Sequence, residues 1–186
     1  MRSTSNCVTL SAAILTLALC NLAPAQAQSA LKDDLMADVL EVEEKLLGLA
    51  NAMSAEHYDW RPGEGVRSVG EVFQHVTADN FLLASPFIEL PTWTAMDATD
   101  YSTVQAFERR DIERAQIIQE LEQSFAHIKS AMETMTDARL AESVSLFGQS
   151  WTAQRLWILT VVHMHEHLGQ SIAYARMNGV VPPWSR

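Results

Sequence analysis

Val161-Val162-His163-Met164-His165-Glu166-His167-Leu168-Gly169-Gln170 is the stretch on which the fold turns. Read as a helix, it sets His163 and His167 side by side on one face, because residues four apart are neighbours. His165 then lies about 200° away. Read as a strand, it puts all three histidines on one face, as in a cupin-type metal barrel. The surrounding chain favours the helix. Its 186 residues hold only 7 glycines and 6 prolines, too few for the spaced turns of a barrel, and no Asp or Glu follows Glu166. The inward face runs through Leu156, Leu159, Thr160, His163, His167, Gln170 and Tyr174. A zinc-protease HExxH beginning at His165-Glu166 fails, since its fifth position is Gly169.

Working outward, the chain reads as all-α. Leu31, Leu35, Val39, Val42, Leu46 and Leu49 recur at three- and four-residue steps, which predicts an amphipathic helix over residues 30–53. Trp60-Arg61-Pro62-Gly63-Glu64-Gly65 breaks it. Ser68-Val69-Gly70-Glu71 has capping-box spacing and opens a second helix carrying Val72, Phe73, Val76 and Leu83 toward Pro86. An irregular connection over 87–102 leads to a third helix, expected as one piece over 103–135. A loop through Gly148 precedes the last helix, 151–178, where Asn178-Gly179 and Pro182-Pro183 end it. Four helices with one apolar stripe each pack most economically as a four-helix bundle.

Arg2 is the only charge before Lys32, residues 8–22 are almost uninterrupted apolar sequence, and Ala25-Gln26-Ala27 supplies a small-x-small cleavage site. This is the signal-peptide pattern, with residues 1–27 removed and 28–186 forming the domain. The apolar run is short for a permanent anchor, so no stable membrane span is expected in the mature form. A lipoprotein site at Leu17-Ala18-Leu19-Cys20 is the weaker reading, because Leu19 is bulky. Cleavage removes both cysteines, Cys7 and Cys20, leaving a mature chain without a thiol ligand or nucleophile. The formal net charge of −10, with no basic cluster, disfavours nucleic-acid binding.

The chemistry therefore falls to imidazoles and carboxylates. Two imidazoles on an inward stripe need partners, and hydrogen-bonded core or rim histidines are the plain alternative to a metal pair. His75 strengthens the metal reading, for it lies on the stripe of Val72, Val76 and Leu83 in the second helix. Crossed helices can bring it opposite His163 and His167. Three neutral imidazoles suit zinc or nickel. Asp79, four residues after His75, is a candidate fourth ligand, orienting group or general base, against the alternative of a solvated surface Asp. Tyr174 is a candidate supporting group. His57 and His127 are expected at the surface.

Trp60-Arg61-Pro62, Arg67-Ser68-Val69-Gly70-Glu71 with His75, and His163-x-x-x-His167-Leu168-Gly169-Gln170 together resemble the DinB-like superfamily. The terminal Arg176-Met177-Asn178-Gly179-Val180-Val181-Pro182-Pro183-Trp184-Ser185 resembles the end of many members, so the likeness spans residues 31–185. It implies a four-helix bundle, often a homodimer, with a divalent metal on His75, His163 and His167. Leu168 stands where many members carry Arg. Activities in the family range over low-molecular-weight thiol transfer, a thiol-dependent isomerisation and metal-dependent hydrolysis, so the resemblance speaks for the metal more than for a reaction.

Two classes of function follow. The first is a metal-dependent enzyme, hydrolase or transferase, acting on a small molecule. The second is an exported, non-catalytic metal- or ligand-binding bundle. Haem is disfavoured because no CxxCH occurs. The export pattern predicts a periplasmic or secreted protein whose intact mass begins at Gln28. Full-length chain recovered from the cytosol of the native host would contradict it.

Overall fold

The computed structural model describes residues 23–185. The expected signal lies mostly outside them, and the expected cleavage point falls within the first turns of α1 (Ala23–Ala52). There follow α2 (Ala55–Tyr58), α3 (Val69–Ala84), a 3-10 turn (Thr92–Thr94), α4 (Tyr101–Glu108), α5 (Arg114–Glu133) and α6 (Asp137–Leu140). A hairpin of β1 (Ser143–Leu146) and β2 (Gln149–Thr152) leads into α7 (Ala153–Met177), and a 3-10 turn (Pro183–Ser185) ends the described chain. Helices α1, α3, α5 and α7 form the bundle, with α3 against α5 and α7, and α1 against α7 and α5. Among the described residues no helix is long and apolar enough to cross a membrane.

The predicted stripes of α1, α3 and α5 point inward. The buried face of α7 is instead turned toward Trp157, Val161, Met164, Leu168 and Ala175, so that Leu159, His163 and Gln170 of its expected stripe are only partly buried. Val39, Val42, Leu46 and Leu49 of α1 meet Phe73 and Val76 of α3, Leu121, Phe125 and Ile128 of α5, and Trp157 and Met164 of α7 in one buried cluster. A second cluster joins Phe81 and Leu82 of α3 to Met96, Val104, Phe107, Leu146 and Leu156. It fastens the connection, α4 and the hairpin to the bundle's flank. Local signals also hold. The Ser68 hydroxyl accepts from Glu71 N–H at 3.2 Å, and the Glu71 carboxylate accepts from Ser68 N–H at 2.7 Å. At the far end of α7, Gly179 takes φ +73°, and Val180 N–H donates to Ala175 O at 2.9 Å, closing a Schellman motif.

Two expectations need correction. The third helix is not continuous over 103–135 but interrupted between Glu108 and Arg114. On an unbroken helix, the buried Val104, Phe107 and Glu108 would sit about 90° round from the buried Ile117, Leu121, Phe125, Ile128 and Met132. The two sets serve different clusters, and the break lets each face its own. The second correction concerns the loop through Gly148, which is the hairpin, so the fold is helical but not purely so. Its antiparallel register pairs Ser143 with Thr152 and Leu146 with Gln149. Phe147 and Gly148 turn the chain with φ of +55° and +68°, a type I′ geometry. Phe is a poor residue for a left-handed φ, which hides this turn in the sequence.

The interruption also positions Arg114. Its guanidinium donates to the carbonyls of Met53 (3.0 Å), Ala50 (3.2 Å) and Asn51 (3.0 Å), satisfying the free C-terminal carbonyls of α1 and complementing its dipole. Arg114→Ala should lower stability in urea denaturation by about 2 kcal/mol, the scale of hydrogen bonds to a charged group. Arg114→Lys, without the planar fork, should restore only part of it.

Candidate metal centre

The α3–α7 packing brings the His75 ring edge-on against those of His163 and His167. The Nε2 atom of His163 lies 3.3 Å from that of His75 and 3.1 Å from that of His167. The Oδ2 atom of Asp79 sits beside them, 3.0 Å from His163 Nε2 and 3.6 Å from His75 Nε2. His75 and His167 are buried, and the His163 and Asp79 side chains retain 17% and 14% exposure, so solvent reaches the group from one side.

The outer ring nitrogens are held. Nδ1 of His75 bonds the Glu108 carboxylate at 2.9 Å, and that carboxylate also accepts from Arg67 at 3.1 Å. Nδ1 of His167 bonds Gln170 Oε1 at 2.8 Å. The Gln170 amide donates to the Tyr174 hydroxyl at 2.9 Å, which in turn donates to Arg67 O at 3.2 Å. A carboxylate or amide oxygen can only accept, so each of these Nδ1 atoms carries the proton and its Nε2 presents a lone pair. Lone pairs and a carboxylate oxygen thus converge on one point, a cluster of acceptors that repel one another unless a cation or proton lies between them. Tetrahedral zinc, with bonds of about 2.0–2.1 Å to nitrogen, separates its ligand atoms by about 3.3–3.4 Å. The observed spacings are close to that edge, and the donor set could hold a metal. Asp79 Oδ1 and His163 Nδ1 are buried without a hydrogen-bond partner among the described residues.

Burial, helped by the neighbouring His163 and His75 and opposed by the Gln170 bond, pushes His167 down to about 4 and keeps its imidazole neutral. Burial raises the Glu108 carboxyl, but the hydrogen bond and charge of His75, with Arg67, outweigh it and hold the group below its usual range. Tyr101 at the start of α4 is raised by burial and by the negative charges of Asp79 and Glu108, which places its hydroxyl within their field.

The structure brings together His75, His163, His167 and Asp79, with Tyr174 behind them through Gln170. It sets His165 apart, its Nδ1 on Val161 O at 2.9 Å. His57 lies in α2 and is partly exposed, its ring closing onto Ser54. His127 is not a surface residue: it is half-buried against the Phe81 ring, centroids 5.1 Å apart, and burial lowers its pKa. Glu108 was not foreseen. It belongs to a helix whose separate existence the sequence conceals, and its only mark there is a carboxylate in phase with Val104 and Phe107.

His167 gives a sign to the pH dependence of the metal-free protein. Unfolded, it takes up a proton near its ordinary 6.5; folded, it refuses one until about 4. The unfolded state therefore binds more protons between these values, and stability should fall as pH drops from 6.5 toward 4. Urea midpoints of the metal-free chain across that window measure it, and His167→Phe should flatten the slope.

Comparison with known proteins bears on this arrangement. The family model described as the DinB family matches residues 27–186. A DinB-like protein from Bacillus cereus ATCC 10987 superposes with TM-score 0.65 at 15% identity, covering 81% of this chain and 95% of its own. The DinB-like protein YjoA from Bacillus subtilis gives 0.61 at 20% identity, covering 80% and 93%. YfiT from Bacillus subtilis, described as a probable metal-dependent hydrolase with an unusual four-helix bundle topology, gives 0.64 at 18% identity, covering 81% and 89%. At such identities the likeness is one of fold. No curated protein matches the chain. With nearly all of the described residues inside the matched region, the chain belongs to the DinB family.

Proposed function

We propose that this protein is a divalent-metal-dependent enzyme of hydrolytic type acting on a small molecule, with zinc or nickel held by His75, His163 and His167. The observation that carries the reading is the convergence of three imidazoles, with His163 Nε2 3.3 Å from that of His75 and 3.1 Å from that of His167, the latter two rings aimed by hydrogen bonds at their outer nitrogens. A bound cation would supply Lewis acidity, lowering the pKa of water and polarising a substrate oxygen. The chain's own residues do the rest. Glu108 and Gln170 fix ring orientation, Arg67 anchors Glu108, and burial keeps His167 neutral. Asp79 Oδ2, at the focus of the imidazoles, is the proton acceptor for an attacking water.

Export is part of the proposal. Arg2, the apolar run 8–22 and Ala25-Gln26-Ala27 support removal of residues 1–27 and a periplasmic or secreted place of work. Reduced thiols are scarce in oxidising compartments, which favours hydrolysis over thiol transfer. One observation favours a second reading, a non-catalytic metal-binding bundle. Asp79 stands at 3.0 and 3.6 Å from two imidazole nitrogens, spacings suited to a fourth ligand that would close the site.

Metal content by mass spectrometry separates these readings. His75→Ala, His163→Ala and His167→Ala should each abolish tight binding of one divalent ion per chain, whereas His165→Ala should retain it. Glu108→Ala should weaken affinity by about 10–100-fold through loss of the His75 anchor. Asp79→Asn should keep its metal and lose turnover in a hydrolytic screen. Loss of the metal in Asp79→Asn would favour the closed site, and full occupancy in His163→Ala would overturn the triad.

A further inference from the structure

A cavity of about 520 Å³, within the range of small-molecule sites, adjoins the residues that hold the imidazoles from outside, although no imidazole lines it. Gln170 and Glu108, which hold the outer nitrogens of His167 and His75, form part of its wall. Tyr101, whose hydroxyl feels the charges of Asp79 and Glu108, lines it as well. The remaining wall is cationic against the trend of a chain with net charge −10: it holds Arg61, Arg67 and Arg109 against the carboxylates Glu71 and Glu108.

Both carboxylates are already matched. Glu71 takes the Arg61 guanidinium at 3.1 Å and the Ser68 N–H, and Glu108 takes Arg67 at 3.1 Å and His75. Arg109 has no ion-pair partner among the described residues. Asp59, Asp111 and Glu113, which share the adjoining cavity with it, form no ion pair with it either. The sequence neighbour Arg110, by contrast, is locked onto Glu120. A free guanidinium at the mouth of a cavity whose acids are spent presents an oxyanion-binding fork.

We propose that this cavity receives the substrate and that Arg109 binds an oxyanion on it, a carboxylate or phosphate, while the reacting end lies at the histidines. The inference rests on the metal-enzyme reading above and adds the substrate's charge. Any such molecule also meets the Gln105 amide and the Tyr101 hydroxyl, neutral groups that accept or donate without contesting the charge.

The test uses the full chain loaded with cobalt, whose visible spectrum reports on ligands entering the metal site. Acetohydroxamate is the neutral probe. Succinic, adipic and suberic monohydroxamates add a carboxylate on arms of increasing length, and phosphonoacetohydroxamate adds a phosphonate. At least one anionic probe should bind on the order of tenfold tighter than acetohydroxamate, the equivalent of one charge-assisted hydrogen bond. The preferred arm identifies the oxyanion. That preference should weaken with added salt, vanish in Arg109→Gln and persist in part in Arg109→Lys, each variant showing the wild-type cobalt spectrum before probe is added. If acetohydroxamate binds and no anionic probe is preferred, the anion pocket is wrong and the open metal site stands. A preference that survives Arg109→Gln overturns the assignment to Arg109. If no hydroxamate perturbs the spectrum, the site admits no outside ligand, and the enzymatic reading fails together with the pocket.

Discussion

Everything about the site depends on one constraint, the meeting of α3 and α7 that holds three imidazoles and a carboxylate around a common point. Such a cluster is costly to build from neutral rings alone. Each buried polar atom without a partner forfeits about 1–3 kcal/mol, and facing lone pairs add repulsion. The fold meets part of that cost from outside the cluster, where Glu108 and Gln170 accept the ring N–H groups and are themselves held by Arg67 and Tyr174 in a connected set of hydrogen bonds. The inner face, where acceptors converge, could hold a cation. The bundle core makes this arrangement rigid: Phe73 and Val76 flank His75 on α3, and Met164 and Leu168 flank His167 on α7, all buried in one cluster.

How much of this could be read in the sequence follows from the range of the forces involved. Helical periodicity is local, and so the four bundle helices, the Ser68–Glu71 cap and the Gly179 terminus were legible. So was the pairing of His163 with His167, since it needs only a spacing of four. The placement of His75 against them needed a tertiary assumption, antiparallel or crossed helices, but an inward stripe narrowed the choices enough. Asp79 followed from His75 by the same spacing. The hairpin was illegible for a local reason, a Phe in a left-handed turn position that usually goes to Asn, Asp or Gly. His127 was misread because the apolar stripe of α5 does not reveal that Phe81 from α3 comes to cover its neighbouring face.

The break at residues 109–113 was illegible for a different reason. No proline or glycine marks it, and each residue tolerates a helix. The signal is a phase shift between two apolar stripes, visible only when their faces are compared over several turns. Local propensity here yields to tertiary demand, because the burial of Val104 and Phe107 in one cluster and of Ile117 and Leu121 in another outweighs the helical hydrogen bonds lost across the break.

That interruption is also where fold and chemistry join. With α4 released from the phase of α5, Glu108 in its last turn can reach Nδ1 of His75, and the chain leaving it carries three consecutive functional choices. Glu108 faces inward to the imidazole. Arg110 turns back onto Glu120 and lays its guanidinium over the Phe107 ring, pinning the bend. Arg109, between them, lines the cavity without an ion-pair partner among the described residues. On the far side of the bend, Arg114 grips the end of α1, so the segment is clamped at both ends by guanidinium groups. A continuous helix would have spread these side chains round a cylinder. The bend sorts them into one that orients a ring, one that holds the backbone shape and one left free to meet a ligand.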